Sequence, residues 1–129
     1  MRTILIALLM TLATQAGAEK VLYCFDDLGT GFYNEDSRWK SSNFNLERHI
    51  ARFNNDHSEL KFNEANYQCV VPWENNNNQR VCTHEYDMGW TVIYGIETQK
   101  FIRIQCSAAS YTNDETDTCS VYIGKCESF

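Results

Sequence analysis

Short runs in which apolar and polar residues alternate with a period of two dominate the chain, and each is closed by a cluster of Asn, Asp, Gly or Ser. Val21, Tyr23 and Phe25 alternate with Leu22, Cys24 and Asp26, predicting a first strand that ends at Asp27-Leu28-Gly29. Thr30–Tyr33 and Arg38–Phe44 flank Asn34-Glu35-Asp36-Ser37 and predict a hairpin with a four-residue loop. Leu46, Ile50 and Phe53 recur at helical spacing, whereas Phe44 and Leu46 alternate as in a strand. The strand reading is favoured, because a helix over 43–54 would be short and poorly capped. Asn54-Asn55-Asp56-His57-Ser58 reads as a turn into Glu59–Phe62.

Two further runs, Tyr67–Val71 and Gln79–His84, are joined across Pro72-Trp73-Glu74 and four consecutive Asn, a residue that tolerates left-handed backbone. Trp90–Ile96 and Phe101–Cys106 flank a four-residue turn. A polar acidic loop from Tyr111 to Thr118 leads into Cys119–Ile123, giving a three-stranded meander. The predicted fold is therefore all-β: a small antiparallel meander closed as a barrel or stacked as a sandwich, since closure removes the edges that invite aggregation.

The first eighteen residues read differently. Arg2 supplies a positive start, Ile4–Leu12 an apolar stretch too brief to span a bilayer, and Ala16-Gly17-Ala18 a small-residue cleavage site. Residues 1–18 are predicted to be a signal peptide and 19–129 a single domain, soluble in the periplasm or secreted. Cleavage leaves 111 residues with 10 Lys and Arg against 17 Asp and Glu, a net charge of −7. That balance argues against nucleic acid and against anionic lipid as partners.

All six cysteines lie in the mature part, where an oxidising compartment lets them pair. Placing Cys106 opposite Cys119 in a hairpin also sets Ile104 against Val121 and Ile102 against Ile123, so all six side chains share one face. Placing Cys69 opposite Cys82 sets Val70 against Val81. Cys24 and Cys126 remain, and tie the first strand to the last. The predicted disulfide pairs are Cys24 with Cys126, Cys69 with Cys82, and Cys106 with Cys119.

Candidate chemistry is sparse. His84-Glu85-Tyr86-Asp87 gathers a His, two carboxylates and a phenol, but on a strand only His84 with Tyr86, or Glu85 with Asp87, share a face. Residues 113–118 offer oxygen donors without the EF-hand order, and the reading is a solvated acidic loop. His49 and His57 read as ordinary surface or turn residues. No nucleophile motif occurs, and cysteines held in disulfides are not thiolate ligands. The expectation is no catalytic, metal or cofactor site. Trp73, beside Pro72, is the candidate recognition residue, whereas Trp39 and Trp90 are expected in the core.

Gly29-Thr30-Gly31-Phe32, Trp39, Phe44, the paired cysteines and the final Val121-Tyr122-Ile123-Gly124-Lys125-Cys126 resemble small exported cysteine-containing β proteins of proteobacteria and their phages. The resemblance implies no activity, and Cys106 with Cys119 stand as additions to that pattern. A weaker likeness is to periplasmic lysozyme inhibitors of the membrane-bound or C-type class, compact disulfide-bonded barrels; no residue of their inhibitory loop matches. The expected function is non-enzymatic binding of a protein or envelope component. The alternatives are an inhibitor of a secreted or cell-wall hydrolase and a small hydrolase.

Overall fold

A computed structural model describes residues 19–36, 38–87, 89–106 and 118–128. Residues 1–18, predicted as a signal peptide, and the acidic residues 113–117 lie outside them. Among the described residues nine strands follow in chain order: β1 (Lys20–Glu35), β2 (Arg38–Asn43), β3 (Arg48–Phe53), β4 (Glu59–Phe62), β5 (Ala65–Val70), β6 (Gln79–His84), β7 (Trp90–Gly95), β8 (Lys100–Cys106) and β9 (Thr118–Ser128). No helix occurs among the described residues. Strands β3 to β9 form an antiparallel meander, and β1 pairs with β3 along one edge and with β9 along the other. Eight strands thus close into a barrel. β2 stands outside the closed ring, paired only to the second half of β1.

Alternation decides which side chains fill the barrel. In β3, His49, Ala51 and Phe53 are buried while Arg48, Ile50 and Arg52 face outward. Leu60 and Phe62 of β4, Tyr67 and Cys69 of β5, Val92 and Tyr94 of β7 and Phe101 of β8 join them. Phe53 packs on Tyr94 with ring centroids 4.8 Å apart, and Phe62 meets Phe101 at 5.7 Å. Eight strands enclose little more than the width of such side chains, so the interior is a packed core. Burial pushes the Tyr94 phenol up to about 12.

Within 43–54 the strand is Arg48–Phe53, whereas 44–47, where Phe44 and Leu46 alternate, is irregular. The first strand, however, does not end at Asp27. Asp26 pairs with Gly124 and Leu28 with Ile123, so Asp27 is an extra residue, a bulge through which β1 continues. The bulge changes the face: Leu22, Cys24 and Asp26 point inward before it, Gly29 and Gly31 after it. The β1–β2 connection is also shorter than predicted, because Asn34 and Glu35 pair with Trp39 and Arg38, leaving two residues between the paired positions. Trp39 is 45% exposed rather than in the core, since no layer covers β2. Trp90 packs half-buried against the core.

Cys24 joins Cys126, Cys69 joins Cys82 and Cys106 joins Cys119, each pair directly opposed in its ladder. Ile104 faces Val121 and Ile102 faces Ile123, on the common face that the register arithmetic requires. That face is the outer wall. Phe101 turns inward instead, because its cross-strand partner is Gly124, where a Cβ would stand 2.6 Å from the Phe101 ring.

The first two bridges are buried and the third is half-exposed. Cys24 and Cys126 are 102 residues apart, the other pairs 13. By chain entropy the long loop is worth about 4.7 kcal/mol against about 3 for a short one. The double variant Cys24→Ser, Cys126→Ser is expected to lose more stability than Cys106→Ser, Cys119→Ser. Melting curves of the two purified variants check this, and equal midpoints would contradict it.

A buried ionic network and its pocket

Of the polar side chains buried among the described residues, three converge inside the barrel from three strands. Asp26 of β1 arrives because the alternation of Leu22 and Cys24 carries it inward just before the bulge. His49 heads the inward row of β3, and Arg103 follows Phe101 on the inward face of β8. Their side chains are 0%, 1% and 4% exposed. A buried carboxylate is strongly unfavourable unless its oxygens are all bonded.

Asp26 meets that demand. Arg103 Nη2 donates to Oδ2 at 2.9 Å, the Glu47 backbone N–H donates to the same oxygen at 3.0 Å, and His49 Nε2 lies 3.2 Å from Oδ1. The Arg103 guanidinium carbon also lies over the Tyr122 ring, 3.9 Å from its centroid. Glu47, with its carboxylate largely exposed, reaches Arg103 at 3.9 Å.

The tautomer of His49 follows from its neighbours. Asn63 sits in the two-residue β4–β5 turn with a φ of 54°, a left-handed conformation that Asn accepts. Its Oδ1 accepts the Ile50 N–H at 3.0 Å, which leaves Nδ2 to donate to His49 Nδ1 at 3.0 Å. His49 Nδ1 is therefore an acceptor and Nε2 carries the proton toward Asp26. Burial, then the Arg103 charge, hold the imidazole below its ordinary value of 6.5. The ring is wedged against Phe62, 4.8 Å between centroids.

Asp26, Glu47 and His49 place one ligand-type atom each within 4.8 Å of one another. The grouping does not suit a metal cation. Arg103 already occupies it with a positive charge, and His49 presents a proton rather than a lone pair to Asp26. Nor does it suit proton relay to a substrate, because both imidazole nitrogens are bonded within the protein. The network is an internal strut joining β1, β3, the β4–β5 turn and β8.

At the same end of the barrel, Tyr67, His84, Trp90, Asn63, Gln105 and Arg103 line a pocket of about 420 Å³. His84 and Trp90 lie 5.4 Å apart, and Tyr67 meets His84 edge-on at 5.3 Å. Burial raises the Tyr67 phenol. His84 Nδ1 accepts the backbone N–H groups of Tyr86 and Asp87, so the segment 84–87 is a turn capped by its own imidazole, with Tyr86 87% exposed.

Trp73, in the loop after β5, is 63% exposed. His57 lies in the β3–β4 turn, its ring on Phe53. His49 is the clear departure from the sequence reading, fully inside the barrel rather than at the surface. No local motif in the sequence marks Asp26, Asn63 or Arg103. The usable signal was parity, because each of Asp26, His49 and Arg103 shares a strand face with a residue that is buried. No protein-family model, curated protein or solved structure matches the chain.

Removing Asp26 leaves Arg103 buried and uncompensated, so Asp26→Ala is expected to cost about 3–5 kcal/mol. Asp26→Leu combined with Arg103→Met should recover part of that loss in denaturant unfolding, the remainder reflecting the Glu47 N–H and His49 Nε2 left without an acceptor; a double variant as unstable as Asp26→Ala alone would contradict the ion-pair account.

His49 has a folded pKa below its unfolded one, so its contribution is complete above about 6.5 and declines as the unfolded chain takes up a proton at lower pH. The melting temperature should fall from pH 7 to pH 5, and fall less in His49→Gln. Part of the slope remains in that variant, because His57 is also held low, chiefly by burial. An unchanged slope would show that His49 does not carry it.

Proposed function

We propose that the protein is an exported, non-enzymatic binding domain whose partner is a protein engaged on the outer wall of the barrel. One observation carries this reading. Val70, Val81, Ile93, Ile102, Ile123 and Leu28 are successive cross-strand partners, a single aliphatic row over six strands on the outside of the ring. Val70, Leu28, Ile102 and Ile123 are 62%, 55%, 37% and 46% exposed. A contiguous apolar patch on a barrel whose core is already filled has no folding role of that extent and marks an interaction surface.

Charge narrows the partner. Two positions along from Ile102 and Ile123 stand Lys100 and Lys125, directly opposite one another and both exposed. Like charges in that position are unfavourable. A partner with an apolar strip bordered by carboxylates would relieve them, although the chain as a whole is acidic. A spanning role in a bilayer is disfavoured, because the interior is apolar and the opposite wall carries Arg48, Arg52, Glu59 and Lys61 outward, the reverse of a membrane barrel. Export is supported by the leader-like start of the sequence and agrees with three disulfides.

A second reading, inhibition of a secreted or cell-wall hydrolase, draws on Trp73, an exposed indole on a loop at the barrel end away from the ionic network. A loop residue of that kind can enter an enzyme cleft.

Cross-linking in the native envelope tests the leading reading with protein whose mass shows a start near Glu19 and six hydrogens fewer than the reduced form. A defined partner should be captured by the wild type and lost, by at least tenfold, in Ile102→Asp. Equal capture by both would overturn the row as the contact. A panel of lysozymes and proteases assayed with equimolar protein decides the second reading: inhibition abolished by Trp73→Ala supports it, and full activity throughout removes it.

A further inference from the structure

The ionic network has more donors than acceptors. Asp26 receives three donors, His49 has both nitrogens bonded, and Arg103 keeps a buried Nε–H that no acceptor reaches. A buried guanidinium N–H without a partner costs free energy that native interiors rarely leave uncompensated. Arg103 is at the same time a wall of the 420 Å³ pocket, whose one carboxylate, Glu64, is almost fully exposed at the edge and 3.7 Å from Lys61, while other walls add donors. Nδ1 of His84 is an acceptor, which puts its proton on Nε2, and the Trp90 indole has only a donor to offer. The volume falls within the range of small-ligand sites, roughly 300–1,000 Å³, and flat rings make up much of the lining.

We propose that this pocket is a binding site for a carboxylate carried next to a flat apolar group. The carboxylate supplies acceptor oxygens to Arg103 and to the ring N–H groups of His84 and Trp90, while Tyr67 and Trp90 pack against the apolar part. Planar guanidinium groups favour this partner, because their N–H fork matches two carboxylate oxygens. Glu47 does not pre-empt the place. Its carboxylate is 64% exposed and 3.9 Å from Arg103, a contact that solvent weakens and an incoming carboxylate can displace. The Asp26–Arg103 pair stays intact throughout, so ligand entry requires no uncompensated buried charge.

Two sources share this chemistry: the C-terminal residue of a polypeptide and a free aryl carboxylic acid. The site is on the rim of the barrel and stands apart from the aliphatic row of the outer wall, so either can fail without the other.

The test uses the disulfide-bonded protein and two-dimensional NMR of the Trp side-chain N–H signals, with N-acetyl-phenylalanine as the C-terminal probe, benzoate as the free acid and N-acetyl-phenylalanine amide as the control. The Trp90 signal should shift and saturate with one of the two acids, and the amide should bind at least tenfold more weakly. Saturation by N-acetyl-phenylalanine alone assigns the polypeptide source, and by benzoate the free acid. Gln105→Ala and His84→Ala leave the Asp26–Arg103 pair in place, but His84→Ala also removes the cap of the 84–87 turn, so binding is measured below the melting transition of each variant. His84→Ala should weaken the acid at least fivefold. No shift of Trp90 with either acid at millimolar concentration, or equal affinity for acid and amide, overturns the site.

Discussion

Closing eight strands into a ring leaves an interior just wide enough for side chains, and nearly every other feature follows from that limit. The two edges of β1 must both be used, one by β3 and one by β9, or the ring stays open. Rings must interlock rather than stack freely, which is why Phe53 lies on Tyr94 and Phe101 against Phe62 and why a glycine faces Phe101. The same limit makes the core unavailable as a ligand chamber. Recognition is left to the outer wall, the loops and the rim.

The ionic network turns the limit into specificity. Replacing such a pair by apolar residues of like volume is often neutral for stability, so its presence suggests a further use. Here it ties the bulge in β1, the β4–β5 turn and β8 into one arrangement, because each bonded atom fixes the position of the next. Asn63 must turn left-handed to reach both Ile50 and His49, and the bulge sets Asp26 inward before β1 changes face. A slip of one residue in β1 would send Asp26 to solvent and leave Arg103 alone in the core.

Strands, turns and bridges were legible because they depend on nearest neighbours and on counting. The register of β8 against β9, and of β5 against β6, follows from pairing the cysteines, because every other pair in each antiparallel ladder keeps the index sum of its cysteine pair. What local reading did not resolve was which face of each strand is inside. Ile102, Ile104, Val121 and Ile123 form the more aliphatic face of the last hairpin, yet they point outward, while Phe101 and Arg103 point in. Apolarity alone selects the wrong face there, since the outer wall is itself apolar. Asp26, His49 and Arg103 come from strands far apart in sequence, and no local spacing connects them. The bulge at Asp27 was hidden for a related reason: Asp27-Leu28-Gly29 has the composition of a chain break, and only pairing with β9 keeps the strand running through it.

The pairing of β1 with β9 also sets an order of events. Its eleven residue pairs join segments about a hundred residues apart, whereas each hairpin from β3 to β9 closes over a short span. Contacts of such high sequence separation form slowly, because the chain must give up loop entropy before they repay it. The meander can assemble while β1 waits, but the barrel cannot close until the last strand has been delivered. A partly made chain therefore carries both open edges of an unfinished sheet, and the completed one buries them in a single late step.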